Sequence, residues 1–260
     1  MKIVVFDLDE TLGYFTQFGT ICDCLNVLFN NNKYSYDHFN EILDLYQNYY
    51  LRPNIIDILK YLKVKKEKGE CSKVMIYTNN QGPKKWCINI KDYFQYRLNY
   101  KLFDQIIAAF KINGRQVELN RTSHEKKMDD FFRCTKLPDN IEVCFIDDQY
   151  HPGMKNKKVY YINIKPFYYS LSPDKVADTF LNSNLAKHFQ DKEKVKYIII
   201  NYMKKYREKV NKPDQIEFHD VITKKVFQHI KLFFGDYHNK TLKKKGKFES
   251  RGKTVKIKRN

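Results

Sequence analysis

Short apolar runs recur along the first two thirds of this chain, and several of them lead directly into polar side chains. The clearest cover residues 2–6, 73–80, 141–149 and 158–164. Runs of this length predict strands that are buried on both faces, as in a parallel sheet. The stretch LFDQIIAAF, at residues 102–110, also fits a short strand that follows a helix.

Segments between these runs carry apolar residues at helical spacing. Helices are predicted within HFNEILDLYQNYY (38–50), LRPNIIDILKYLKVKKEKG (51–69) and KKWCINIKDYFQYRL (84–98). The stretch SHEKKMDDFFRCTKL (123–137) predicts a further helix, with Ser123 near its N-cap. Residues 13–50 as a whole would hold either a small cap or a longer loop.

Alternation of strands and helices predicts an α/β fold with a Rossmann-like, mostly parallel sheet built from right-handed crossovers. This domain is expected to span residues 1–170. The composition shifts after Pro166, and residues 171–238 predict a helical C-terminal appendage. Residues 239–260 are poor in apolar side chains and rich in lysine, so they are expected to form a disordered basic tail.

Charge is distributed unevenly along the chain. The net charge is +18, and residues 240–260 alone carry eight lysines, two arginines and one glutamate. One interpretation is nonspecific contact with nucleic acid or another polyanion through this tail. The other is a solubilising tail or an address signal, and the sequence leaves both open.

Several protein classes are not expected from this sequence. It has no apolar run of about 18 residues, so no transmembrane helix and no membrane partner are predicted. The chain enters a strand without a preceding signal peptide, which favours an intracellular protein, cytoplasmic or nuclear. Its six cysteines form no CxxC pair, so reduced and mostly buried thiols are expected rather than a zinc site or a disulfide framework.

Polar side chains follow three of the predicted strands. They are Asp7 and Asp9, Thr78 and Asn79, and Asp147 and Asp148. Parallel strands would bring these groups to one rim of the sheet, where ligands of open α/β sheets bind. Clustered carboxylates repel one another, and Mg²⁺ favours a few carboxylates together with water and phosphate oxygens. The four aspartates therefore predict a magnesium site.

Carboxylates beside a magnesium ion suit phosphoryl transfer. One carboxylate can attack phosphorus and form an aspartyl-phosphate, while a second protonates the leaving oxygen and then activates water. The transferred group is negatively charged, so donors and a cation are needed around it. Thr78 and the backbone amides near residues 8–10 and Asn79 would supply donors, and either Lys126 or Lys127 would supply the cation.

Four segments together resemble the haloacid dehalogenase superfamily. VVFDLDETL (4–12) resembles its first motif, DxDx[TV], and KVMIYTN (73–79) is similar to the second. A helix-borne lysine in HEKKMDDFF (124–132) occupies the place of the third, and VCFIDD (143–148) resembles the Asp-Asp form of the fourth. They follow the family's order within residues 1–166, and the resemblance implies that superfamily's fold.

This resemblance implies a role for each matched residue. Asp7 would be the nucleophile, and Asp9 would be the general acid and base, with its backbone carbonyl on the metal. Phosphate binding would fall to Thr78, Asn79 and Lys126, with Lys127 as the close alternative, and magnesium binding to Asp7, Asp9, Asp147 and Asp148. Aspartate at both positions of the first motif favours phosphatases over dehalogenases.

Within the superfamily, DLDETL followed by LRPNIIDILKYL looks most like the carboxy-terminal-domain phosphatases, also called NLI-interacting-factor-like. These act on phosphoserine or phosphothreonine in proteins, and an Arg-Pro pair, here Arg52 and Pro53, recurs in them. The segments YTNNQGPKKW (77–86), DDFFRCTKLP (129–138) and CFIDDQYHPGM (144–154) also resemble proteins of large DNA viruses. TNNQG (78–82) instead is closer to polynucleotide 3′-phosphatases and histidinol phosphatases, and many of the protein phosphatases have Asp-Asn where this chain has Asp147-Asp148.

The expected function is Mg²⁺-dependent hydrolysis of phosphomonoesters on a phosphorylated macromolecule, with a phosphoprotein favoured. Two alternatives stay open. One is a nucleic-acid 3′-end phosphatase, which the TNNQG stretch and the basic tail would suit. The other is a binding protein that keeps the fold without turnover, although all the expected catalytic residue types are present.

Overall fold

A computed structural model describes residues 1–206, 214–236 and 254–256. Six parallel strands form one sheet, in the order β3-β2-β1-β6-β7-β8. The strands of this sheet are β1 (Lys2–Phe6), β2 (Lys73–Tyr77), β3 (Phe103–Ile107), β6 (Glu142–Asp147), β7 (Val159–Asn163) and β8 (Thr254–Lys256). A separate antiparallel hairpin pairs β4 (Lys111–Ile112) with β5 (Arg115–Gln116).

Helices of very different length connect and cover the strands. They are α1 (Thr16–Leu28), α2 (Tyr34–Asp37), α3 (Phe39–Tyr50), α4 (Ile55–Glu67), α5 (Lys84–Leu98), α6 (Met128–Thr135), α7 (Pro173–Leu181), α8 (Lys192–Lys204) and α9 (Asp214–Phe234). The predicted Rossmann-like α/β fold with a helical C-terminal region is therefore confirmed.

Both faces of the sheet are buried, which explains the continuous apolar runs of its strands. Val4 and Phe6 of β1 belong to the larger hydrophobic cluster, which also includes residues from α1, α3, α4 and α5. Ile3 and Val5 alternate with them and face a second cluster, which includes Phe131 of α6. Each apolar residue of such a strand therefore packs against one of the two clusters, on one face of the sheet or the other.

The segment before α6 differs from the prediction. A helix was expected over residues 123–137 with Ser123 near its N-cap, but α6 begins only at Met128, and Lys127 is the residue that precedes it. Arg121 donates to the backbone oxygen of His124 (2.9 Å) and to that of the distant Thr78 (3.0 Å), and this pair of contacts holds the chain in a non-helical path. The motif lysine is therefore on the loop before the helix and not on the helix itself.

The helices after residue 170 pack against the same hydrophobic cluster as the sheet. Ile222, Val226 and Ile230 of α9 belong to it, as does Phe180 of α7. Ser172 caps α7 by accepting a hydrogen bond from the backbone amide of residue 175, and Pro173 occupies the first helical position. The predicted boundary at residue 170 remains a prediction, but the helices on its far side share a core with the strands.

Part of the predicted disordered tail is ordered. Residues 254–256 form β8 and pair with β7, with Val255 opposite Ile162. Thr254 and Val255 are β-branched, which favours a strand, and Val255 packs against the larger hydrophobic cluster. The rest of residues 239–260 lies outside the described part of the chain.

Two further expectations concern membranes and thiols. Across the described ranges, no helix has the length and apolar content needed to cross a membrane. All six cysteines are free, and only Cys134 is more than slightly exposed.

Candidate active site

Three neighbouring strands deliver the predicted site residues to one rim of the sheet. Asp7 directly follows β1, Thr78 directly follows β2, and Asp147 is the last residue of β6. The chain leaves β1 toward β2 on one side and later returns to pair β6 on the other side. The site therefore lies at the topological switch point, which is where open α/β sheets bind ligands.

Lys126 joins two of these strand ends. Its Nζ lies 2.5 Å from Oδ1 of Asp7 and 2.7 Å from Oδ2 of Asp147. The Lys126 side chain is fully buried, and although burial alone would lower its pKa, the two carboxylates raise it. Of the two lysines left open by the sequence, Lys126 thus lies among the aspartates, whereas Lys127 precedes α6 and packs beside Gly153.

Three of the four predicted metal ligands form a compact cluster. Carboxylate oxygens of Asp7, Asp147 and Asp148 all lie within 4.8 Å of one another. Burial raises the pKa of Asp147 to about 8 despite the nearby Lys126, and burial together with the charge of Asp7 raises the pKa of Asp148 to about 6. A divalent cation bound by oxygen ligands would stabilise the ionised forms, so the cluster could hold a metal ion.

Neighbouring groups orient the two aspartates after β6. The Thr11 hydroxyl donates to Oδ1 of Asp148 (3.0 Å), and the Asp148 backbone amide donates back to Thr11 Oγ1 (3.2 Å). The amide of Gln149 donates to Oδ1 of Asp147 (2.8 Å). These bonds connect the loop after β1 to the end of β6. Thr11, the threonine of the first motif, therefore has a structural role.

The carboxylate of Asp9, whose predicted metal contact is through its backbone carbonyl, lies outside this cluster and is bonded to Asn80. The Asn80 side-chain amide donates to Oδ2 of Asp9 (2.8 Å), while its backbone amide donates to the Thr78 hydroxyl (2.9 Å). Burial and the charge of Asp7 raise the pKa of Asp9 to about 6. A carboxyl that exchanges its proton near neutral pH suits general acid and base work.

Arg121 organises the second motif and was not singled out in the sequence. Its guanidinium donates to the backbone oxygens of Thr78 (3.0 Å) and His124 (2.9 Å) and to Oδ1 of Asn79 (2.7 Å). It is 1% exposed, so its charge is used inside the protein. Arg121 therefore fixes both the predicted phosphate-binding residues and the loop that carries Lys126.

Arg52 plays a similar part for the loop after β1. It donates to the backbone oxygens of Thr11 (2.6 Å), Glu10 (2.5 Å) and Lys165 (2.8 Å). Glu10 has a positive φ of 58°, a conformation that needs support in a residue other than glycine. The Arg-Pro pair noted in the sequence thus has a physical role, because Arg52 shapes the loop that presents Asp7 and Asp9.

A cavity of about 410 Å³ opens beside Asp9. Phe15, Tyr36 and Trp86 line it, together with Asp23. Its walls come from α1, α2 and the start of α5, so residues 13–50 form packed helices beside the site. The cavity is large enough to admit a small ligand or a side chain of another molecule, and Asp9 is part of its wall.

No protein-family model, no curated protein and no solved structure matches this chain.

The metal-free protein should lose stability as the pH rises from about 5 to 8. The pKa values of Asp9, Asp147 and Asp148 are raised, so the folded state holds protons that the unfolded state releases, and unfolding becomes easier as pH increases. Mg²⁺ at a hundred times its dissociation constant should restore about 2.7 kcal/mol. Thermal melting in EDTA and in Mg²⁺ at both pH values tests this.

The matched variant for this experiment is Asp148→Asn, which removes one clustered charge and one metal ligand. It should melt at a higher temperature than wild type in EDTA at pH 8 and gain less from Mg²⁺. A magnesium effect that is equal at pH 5 and pH 8, or unchanged in the variant, would contradict the assigned metal site.

Proposed function

We propose that this protein is a Mg²⁺-dependent phosphomonoester hydrolase that forms an aspartyl-phosphate on Asp7. The observation that carries the proposal is the buried contact of Lys126 with Asp7 and Asp147, within a cluster of three aspartates at the switch point of a parallel sheet. The four segments that resemble haloacid dehalogenase motifs support the same chemistry, since each contributes to this one site.

In the first step, a carboxylate oxygen of Asp7 attacks phosphorus while the bond from phosphorus to the ester oxygen breaks. Asp9 donates its proton to that oxygen, and the raised pKa of Asp9 keeps a protonated fraction available near neutral pH. In the second step, Asp9 takes a proton from water, which attacks phosphorus and releases phosphate and the free Asp7 carboxylate.

Positive charge and donors must offset the charge of the transferred group. The Lys126 ammonium touches Asp7 and supplies the charge. The Thr78 hydroxyl and the backbone amides after β1 supply donors, and Arg121 holds the Thr78 loop in place. Mg²⁺ held by Asp7, Asp147 and Asp148 would neutralise phosphoryl oxygens when bound.

The preferred substrate is a phosphorylated protein. The cavity beside Asp9 is large enough to admit a phosphorylated side chain and is lined mainly by aromatic and polar groups. The cavity lies directly beside Asp9, so a phosphorylated side chain that enters it would reach the proposed acid and base. Phosphoserine and phosphothreonine peptides are therefore the substrates to test first.

Phosphate release from p-nitrophenyl phosphate, with Mg²⁺ and with EDTA, tests the chemistry. We expect turnover that requires Mg²⁺. Competition between a phosphoserine peptide and a 3′-phosphorylated oligonucleotide then tests the substrate class, and we expect the peptide to be hydrolysed preferentially. Absence of hydrolysis for all three substrates in Mg²⁺ would contradict the proposal and favour a binding protein, and preferred cleavage of the oligonucleotide would favour the nucleic-acid alternative.

A further inference from the structure

A second and larger cavity runs along the open edge of the sheet. Its volume is about 940 Å³, and it lies between the first turns of α5, the strand β3 and the β4–β5 hairpin. Asn80 and Gly82 line it and also line the cavity beside Asp9, so the two cavities are adjacent. We call this space the β3 groove.

Strand β3 ends the sheet on this side. Within the described ranges it has one strand neighbour, β2, so its outer edge has no strand partner. Apolar side chains line the groove beside this edge, namely Ile88, Ile106, Ile112 and Val117. An open edge with apolar pockets beside it is the arrangement that binds extended peptides by strand addition.

Charge selects the kind of peptide. Lys84, Lys101 and Arg115 line the groove, are exposed, and make no ion pair with any described acid. Of the two acids in the lining, Asp104 is already paired with a lysine, Lys66 (2.8 Å), which leaves Glu118. The groove is therefore positively charged and complements an acidic segment.

Nucleic acid fits this groove less well. Binding of single strands depends on aromatic side chains on which the bases stack. Phe103 is the one aromatic residue in the described lining, and it is only 2% exposed. A groove with apolar pockets, an open strand edge and no stacking platform suits a polypeptide.

We propose that the β3 groove binds an extended acidic segment next to the phosphorylated residue of the protein substrate, with the segment's backbone paired to β3. The proposal depends on the proposed phosphatase function and adds the sequence context of the substrate. Acidic side chains would contact Lys101 and Arg115, and Asn80 marks the point where the segment reaches Asp9.

The test compares two phosphoserine peptides that differ only in their flank, one with several Asp and Glu residues and one with the corresponding amides. Binding is measured by fluorescence anisotropy in EDTA, and kcat/KM is measured in Mg²⁺. Wild type should favour the acidic peptide about tenfold, because several exposed ion pairs each contribute a small factor. The double variant Lys101→Gln/Arg115→Gln should lose most of this preference.

A charge-matched control is needed because the whole protein is basic. Lys175→Gln/Lys187→Gln removes two exposed lysines outside the groove lining and should keep the tenfold preference. An acidic peptide with alternate N-methylated amides should bind several-fold more weakly, since it cannot pair fully with β3.

The outcomes separate this inference from the phosphatase proposal. Equal binding of both peptides to wild type, or equal loss of preference in both double variants, would overturn the β3 groove proposal even if the esters are hydrolysed. Tighter binding of an oligonucleotide of the same charge would overturn it in favour of nucleic acid. A preference for the acidic peptide, together with no hydrolysis of the peptides, the oligonucleotide or p-nitrophenyl phosphate in Mg²⁺, would support binding in the groove and refute the phosphatase function.

Discussion

Replacement of Asp7 by asparagine will reduce magnesium-dependent phosphate release by on the order of 10³-fold or more, because the amide cannot attack phosphorus. Asparagine has nearly the size of aspartate, and Lys126 keeps its contact with Asp147, so the variant should fold. Steady-state hydrolysis of p-nitrophenyl phosphate measures the loss, and far-ultraviolet circular dichroism checks the fold.

Asp139→Asn is the matched control for this variant. It makes the same chemical change at an exposed residue outside the site and should leave the rate within a factor of two. If Asp7→Asn keeps more than a tenth of the wild-type rate in a folded protein, Asp7 is not the nucleophile. Loss of activity in both variants would point to an unrelated effect of the substitution.

Replacement of Lys126 by methionine will both destabilise the protein and inactivate it. Methionine fills much of the space but leaves the buried carboxylates of Asp7 and Asp147 without their cation. Removal of one partner from a buried ion pair costs about 3–5 kcal/mol, and loss of a group that offsets transition-state charge costs about 10²–10³ in rate. Urea unfolding in EDTA at pH 8 and phosphate release in Mg²⁺ measure the two effects.

Lys127→Met separates this effect from the loss of any lysine in the same loop. Lys127 is half-buried and makes no ion pair with a described acid, so its replacement should cost less than about 1 kcal/mol. Equal destabilisation by the two variants would show that the contacts of Lys126 with the aspartates contribute nothing specific. A greater loss of activity in Lys127→Met than in Lys126→Met would identify Lys127 as the lysine of the third motif.

The sheet could be predicted because its strands are buried on both faces. Each of β1, β2, β6 and β7 is a short apolar run; β1 and β2 bury four consecutive residues and β6 buries five, which fits a strand covered on both faces. Once the strands are parallel, the rim that gathers Asp7, Thr78 and Asp147 follows from chain order. The principal site residues were therefore accessible from the sequence.

Residues that act through distant contacts could not be predicted in the same way. The spacing of 123–137 suits a helix, but Arg121 joins the backbone of His124 to that of the distant Thr78, and α6 starts five residues after Ser123. Asn80 follows the named Asn79, yet only the fold shows that its amide reaches Asp9. Local propensity carries no information about these partners.

The helix α1 and the strand β8 were also not predicted, and both have a physical reason. The mixed composition of α1 gives no clear periodicity, and its helix is stabilised by packing of Phe18 and Ile21 in the larger hydrophobic cluster. Strand β8 has only three residues within a lysine-rich stretch, and the open edge of β7 supplies its pairing. Contacts with the rest of the fold, and not local sequence, therefore determine the structure of both α1 and β8.

The most direct test of the central proposal is the stereochemistry at phosphorus. A phosphate ester made chiral with oxygen isotopes and sulfur would be hydrolysed by the wild-type protein in Mg²⁺, and the configuration of the released thiophosphate determined. Two successive in-line displacements, first by Asp7 and then by water, predict net retention of configuration. Net inversion would show direct attack by water on the ester and would contradict an aspartyl-phosphate on Asp7.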